Sequence, residues 1–206
     1  MQKTDDDLIR LALNRDTDAF NELVIRWEKM VYALAYRVLG NKEDAHDVCQ
    51  EAFIRAYGGL KNFKGQSKFS SWLYRITLNL CHDWLRRERR MKFVQPSDEL
   101  TLKEQQQVNS SSETIEDRVI RRDLDRVVSK AIATLPENQR VVIVLKEYHG
   151  LTFREIADVL ECPLSTVKTR LYQGLRILKQ RLESVSSKTL ASTNLKLFYP
   201  RIVRER

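Results

Sequence analysis

The stretch from Gly150 to Leu182, GLTFREIADVLECPLSTVKTRLYQGLRILKQRL, constrains the chain most, because two helical patterns stand there with only a tight turn between them. Thr152-Phe-Arg-Glu155 has the form of a capping box, in which hydroxyl and carboxylate satisfy the first free amides, and it predicts a short helix through Leu160. Glu161-Cys162-Pro163 forms the turn, since a proline cannot continue the first helix and readily opens the next. Ile156, Leu160, Val167 and Leu171 fall where two crossed helices bury side chains, and Ala157 is small where they approach. The pattern is a helix-turn-helix spanning roughly Thr152 to Lys179.

The outward positions of its second helix are Ser165, Thr166, Lys168, Thr169, Tyr172, Gln173 and Arg176. From Cys162 through Leu182 there are five basic residues and no acidic one. A solvated helix normally mixes its charges, so a face of one sign favours a phosphate-lined groove over a hairpin that merely packs. The whole chain has 36 basic residues against 28 acidic ones, a formal charge of +8, which suits a polyanionic partner.

Elsewhere apolar residues recur at helical spacing and no period-two strand appears; six glycines and four prolines argue against a loop-rich β protein. The fold class is therefore all-α, with two small helical domains joined by a flexible linker, the second containing the helix-turn-helix. Asp5-Asp6-Asp7 opens a short helix through Leu13, with carboxylates at the positive end of its dipole. A second helix runs from Thr17 to Leu39, buries Phe20, Leu23, Val24, Trp27, Val31, Leu34 and Val38, and stops at Gly40-Asn41. A third runs from about Lys42 to Tyr57. A fourth starts near Ser70, carries Trp72, Leu73, Ile76, Leu80 and Trp84, and ends in Arg86-Arg87-Glu88-Arg89-Arg90.

These helices make a first domain over 1–93. Residues 94–114, polar and with three consecutive serines, read as the linker, which extended reaches about 70 Å. One DNA turn is about 34 Å, so modules tethered this way can reach sites about two turns apart. The second domain, 115–183, opens on Thr114-Ile-Glu-Asp117, another capping box, followed by an apolar face of Ile115, Val119, Leu124, Val128, Ile132 and Leu135. Pro136 is placed as the first residue of the next helix, whose core is Val141 to Leu145. A basic tail, 184–206, has no clear periodicity and is expected to be partly disordered.

In the first domain Asp44, Asp47 and Glu51 stand at i, i+3 and i+7 on one helix face, with Gln50 beside them. A solvated face is the ordinary reading of such charges. After it, FKGQSKFSSWLYRITLNLCHDWLRRERR alternates aromatics with bases. Phe69, Trp72, Tyr74 and Trp84 fit a core, but the same interleaving is what a single-stranded nucleic-acid site requires. His46 with Cys49, and Cys81 beside His82, have metal-compatible spacing, yet neither supplies four ligands. The three cysteines are too few and scattered for a disulfide framework. No paired carboxylates, nucleophile–base pair or glycine-rich phosphate loop is present to support an enzyme, a small-molecule substrate or a cofactor. No apolar run reaches membrane-spanning length and no signal-peptide core appears, so a cytoplasmic protein is expected.

On DAFNELV, EDAHDVCQEAFIRAY, FKGQSKFSSWLYRITLN and LPENQRVVIVLKEYHGLTFREIADVLECPLSTVKTRLYQGLRILK, the chain resembles the extracytoplasmic-function (group IV) sigma factors of bacterial RNA polymerase, in the sigma-70 family. These segments cover most of residues 18–90 and 115–182 in the family's order; the tail after Leu182 is not covered. The resemblance implies region 2 in the first domain and a winged-helix-like region 4 in the second. It implies that Asp44, Asp47, Gln50 and Glu51 dock on the coiled coil of the polymerase's largest catalytic subunit. Phe63, Lys64, Gly65, Gln66, Ser67, Lys68, Phe69 and Asn79 would capture a flipped base of the minus-ten element. Lys168, Thr169, Tyr172 and Gln173 would read the minus-thirty-five element, helped by Ser165 and Thr166, while Arg170 and Arg176 hold phosphate. Lys168 and Gln173 depart from an arginine-rich pattern frequent in the family. The implied partners are core RNA polymerase, promoter DNA and an anti-sigma factor, with a monomer when free of polymerase. A conventional regulator, binding paired half-sites alone, is the competing reading.

Overall fold

The computed structural model describes residues 3–94 and 127–189, with side chains described over 3–91 and 127–183. All but the first residue of the expected linker lie outside these, as do Ile115, Val119, Leu124 and the tail beyond 189. Among the described residues the chain divides into two compact units, one of 3–94 with Arg154–Cys162, the other of 127–153 with 163–189.

In the first unit α1 is Asp5–Leu13, α2 Thr17–Leu39, α3 Lys42–Gly59 and α4 Phe69–Val94, with a single 3-10 turn, Leu60–Asn62, after α3. Each start is satisfied locally. Thr4 and Asp7 form a reciprocal capping box on α1, Asp16 accepts from Asp18 and Ala19 at the head of α2, and Asn41 accepts from Glu43 and Asp44 at the head of α3. Gly40 stops α2 at φ +78°, the left-handed region that a side chain resists, and its N–H bonds Tyr36 O at 2.8 Å. Arg26 Nη1 pairs with Asp5 Oδ1 at 2.5 Å, and Trp27 Nε1 donates to Asp5 Oδ2 at 3.0 Å, fastening α1 to α2.

Helices α2, α3 and α4 pack on one another, and α1 covers α2. Leu23, Val31, Leu34, Ala45, Ala52 and Leu73 are fully buried there. Each branched aliphatic among them contributes about 1.5–3 kcal/mol by leaving water. The stripe expected on α2 holds at Phe20, Leu23, Val31, Leu34 and Val38, while Val24 and Trp27 are half-buried at its edge. On α4 the buried line is displaced from the expected one. Leu73 and Leu80 are core, but Tyr74, Thr77, Leu78, Cys81 and Leu85 complete it, leaving Trp72, Ile76 and Trp84 half-buried. Thr77 tolerates burial because its hydroxyl donates to Leu73 O at 2.9 Å.

In the second unit α5 covers residues 127–133 and α6 is Glu137–Ile143. Pro136 lies one residue outside α6, as its N-cap with extended ψ of 138°, rather than as its first helical residue. The chain then widens into a π-helical turn, Val144–Tyr148, which no sequence pattern announced. Gly150 leaves it at φ +66°. Val128, Ile132, Leu135 and Val141 to Leu145 are buried, and α6 packs on α8. Further along the chain come α7, Phe153–Leu160, and α8, Leu164–Thr189, two helices in succession with a short turn between them, as the sequence pattern expects. Among the described residues no strand occurs, so the winged-helix-like expectation finds no β wing there; α8 runs on unbroken for 26 residues instead. No helix among them is long and apolar enough to cross a membrane.

Candidate nucleic-acid interface

The turn between α7 and α8 is built as the sequence requires. Cys162 N–H closes back on Ala157 O at 3.1 Å, and Glu161 takes a left-handed φ of +49° to reverse the chain. Pro163 O accepts from Thr166 N–H at 2.9 Å and Val167 N–H at 3.2 Å, starting α8. Ile156 and Val159 are the buried residues of α7; Leu160, expected in the core, is half-buried, because an eight-residue helix sets its stripe one position earlier.

Helix α8 is sharply two-sided. Val167, Leu171, Gly174 and Leu178 are buried, while Ser165, Lys168, Thr169, Tyr172, Gln173 and Arg176 are exposed. Thr166 and Arg170 sit at the boundary. Tyr172 keeps 57% of its surface exposed on this polar side, which leaves its ring and hydroxyl accessible to a partner. Thr169 Oγ1 donates to Ser165 O at 2.9 Å, so its lone pairs and methyl remain for a base edge. The ammonium groups of Lys168 and Lys146 lie over the Phe153 ring, 5.8 and 4.9 Å from its centroid. Gln139 Nε2 donates to Gln173 Oε1 at 3.5 Å.

In the first unit Lys64, Gly65, Gln66, Ser67 and Lys68 form an exposed loop between Phe63 and α4, with Gly65 at φ +66°. Phe63, Phe69 and Trp72 cluster beneath it, with ring centroids 5.1–6.0 Å apart. This corrects the place given to Phe69: it is 2% exposed, so its ring cannot stack on a base and instead supports Phe63 and Trp72, which are half-buried. Trp72, which the sequence left open between a core and a nucleic-acid role, is half-buried and better placed than Phe69. Asn79 is exposed but follows Phe69 by ten residues on α4, about 15 Å along the helix, and so stands apart from the loop. Arg86, Arg87, Arg89 and Arg90 are also exposed further along α4. That charge run was visible in the sequence but was not assigned to the site.

On α3, Asp47 and Gln50 are exposed, whereas Asp44 and Glu51 are half-buried. Glu51 accepts from Arg55 Nε at 2.8 Å. Burial pushes the Asp44 carboxyl above its ordinary range; a hydrogen bond from the Trp84 side chain opposes this, and Glu88, Asp47 and Glu43 reinforce it. Beside this face, an open groove of about 430 Å³ is lined by Val24, Tyr32, His46, Gln50, Phe53 and Ile54, among others. His46 is exposed while Cys49 is buried, its Sγ directed to Glu28 O at 3.8 Å. Cys81 is likewise buried beside an exposed His82.

These parts define a helical DNA-binding protein of two modules, one with an acidic face and an aromatic–basic loop, the other with the two-sided, basic helix α8. Residues 23–91 match the family model for sigma-70 region 2, and residues 125–178 that for sigma-70 region 4. The chain is 37% identical over 181 residues to the ECF RNA polymerase sigma factor SigW of Bacillus subtilis, covering 86% of this chain and 96% of that one. It is 33% identical to the ECF RNA polymerase sigma-E factor of Escherichia coli K12, covering 88% and 96%. Among solved structures, CnrH in complex with the cytosolic domain of CnrY is similar at a TM-score of 0.62 and 27% identity, covering 86% and 96%. The chain belongs to the extracytoplasmic-function sigma factors of the sigma-70 family. It is thus a transcription initiation factor that directs RNA polymerase to promoters, and not an enzyme.

Proposed function

We propose a division of labour among its surfaces. The face of Asp47, Gln50, Glu51 and Asp44 docks on core polymerase. The loop Lys64–Lys68, with Phe63 and Trp72 behind it, holds an unstacked base of the minus-ten element, while Asn79, further along α4, contacts the same strand elsewhere. Ser165, Lys168, Thr169, Tyr172 and Gln173 meet base edges of the minus-thirty-five element in the major groove, with Thr166, Arg170 and Arg176 toward phosphate. The protein works in the cytoplasm with the polymerase, as a monomer when released, and is held in check by an anti-sigma factor. That last partner is suggested by a relative of this fold, the sigma factor RpoE of Bartonella quintana, solved in complex with the anti-sigma factor NepR.

The observation that carries the reading is α8 itself: six exposed polar or basic residues on one side, four buried ones on the other, and no acidic residue from Cys162 through Leu182. Promoter opening needs no nucleotide hydrolysis on this account, because bases trapped by the loop offset the unstacking of the duplex. The docking assignment is tested by Asp47→Arg. Core polymerase affinity should fall at least tenfold while the helical spectrum stays unchanged; unchanged affinity removes the acidic face from the account.

A further inference from the structure

Helix α6 packs on α8 at Gly174. A Cβ built there lies 2.7 Å from Ile143 Cδ1 and 3.2 Å from Gln139 Cβ, so glycine spares both side chains a clash. The residue next to it on the exposed side is Gln173, and the approach places the Gln139 amide nitrogen 3.5 Å from Gln173 Oε1. The other end of the Gln139 amide, Oε1, is buried with no hydrogen-bond partner among the described residues. The Nε2–Oε1 bond to Gln173 is therefore the one side-chain hydrogen bond by which this half-buried amide is satisfied.

A glutamine on an exposed helix face rotates freely, and its two amide orientations present opposite hydrogen-bonding patterns to a base. A donor fixed on Oε1 selects one of them. The oxygen keeps a second lone pair, and the nitrogen keeps both protons. That is the complement of adenine in the major groove, whose N6 amino group donates and whose N7 accepts. Guanine offers two acceptors at N7 and O6 and matches this amide less well.

We propose that Gln139, which touches no DNA itself, is a specificity-determining positioning residue: it orients the Gln173 carboxamide so that α8 prefers an A·T pair at one position of its element. The proposal rests on the reading of α8 as the minus-thirty-five helix.

The test uses the full-length protein with core polymerase on promoters randomised across the upstream element, each linked to a barcode in its transcribed region, with the transcript barcodes sequenced. The wild type should favour A·T at one position, roughly tenfold. Gln173→Ala, Gln139→Ala and the near-isosteric Gln139→Leu should each flatten that one position, and Gln139→Ala with Gln173→Ala should do no more than either alone. Gln139→Glu, which accepts where glutamine donates, should turn the amide and move the preference off adenine. If Gln173→Ala changes the profile and both Gln139 variants leave it alone, or lower all promoters equally, the positioning role is wrong. A wild-type preference for G·C at the Gln173-dependent position also overturns it. If Gln173→Ala itself changes no position, it is the assignment of α8 residues to base reading that fails.

Discussion

The side chain of Trp84, in α4, hydrogen-bonds the carboxyl of Asp44, in α3, and so ties the acidic face to the helix that follows the Lys64–Lys68 loop. Burial raises the Asp44 pKa above its unfolded value, and this bond holds it from rising further. A raised carboxyl stabilises the fold most below its unfolded pKa, and that contribution is lost as pH rises through the folded one. Trp84→Phe keeps an aromatic ring but removes the pyrrole half of the indole with its N–H. It should cost about 1 kcal/mol at pH 7 by urea unfolding, and less at pH 4, where Asp44 is protonating. Asp44→Asn should leave stability at pH 7 unchanged or slightly improved, while core polymerase binds several-fold more weakly. Equal costs of Trp84→Phe at both pH values would contradict the coupling.

The aromatics beneath the loop should separate by role. Phe69→Ala empties a site that is 2% exposed and should cost about 3–5 kcal/mol, enough to unfold a marginal domain. Phe63→Ala and Trp72→Ala remove half-buried rings, so the folded protein should survive with core affinity intact and promoter opening reduced. Opening at wild-type levels in both would show that neither ring supports a trapped base.

How much of this was legible beforehand depends on the range of the interactions. Helices α1 and α2 run over the residues their patterns predicted, Asp5–Leu13 and Thr17–Leu39, because caps, stripe and the Gly40 stop are all encoded within a few positions of where they act. Periodicity could not rank Phe63, Phe69 and Trp72, since all three are apolar and near one helix start; only packing decides which faces inward. The same limit hid the Trp84–Asp44 and Gln139–Gln173 bonds, which join residues 40 and 34 positions apart. The π-helical turn at Val144–Tyr148 hides inside an apolar run whose composition suits any helix.

Gly174→Ala gains about 1 kcal/mol of helix propensity but drives a methyl into Ile143 and Gln139. Ile143 is 2% exposed, so the packed core around it leaves its Cδ1 little room to turn away about χ2, and overpacking of about 1–3 kcal/mol should win. Thermal unfolding should show Gly174→Ala less stable than wild type, with Ile143→Val restoring part of the loss. A stabilised Gly174→Ala would mean that α6 and α8 do not meet there.

Alkaline pH should unfold the first unit from its core. Desolvation pushes the Cys49 thiol up to about 11 and the Tyr74 phenol up to about 12. Both groups are neutral when folded and ionise more readily unfolded, so their contribution is present below the unfolded values near 9 and 10 and disappears as pH rises through the folded ones. Unfolding free energy should decline between about pH 9 and 12, and Cys49→Ala should flatten the earlier part of that decline. Rapid alkylation of Cys49 in the native protein at pH 8 would contradict its burial.

The most direct measurement is permanganate reactivity of promoter thymines in the presence of this protein and core polymerase. Thymines around the minus-ten element should become reactive only when both are present, and Gln173→Ala should reduce the signal on the matching promoter. No reactive thymines on any promoter of the host, with the same core shown active through another sigma factor, would contradict the account.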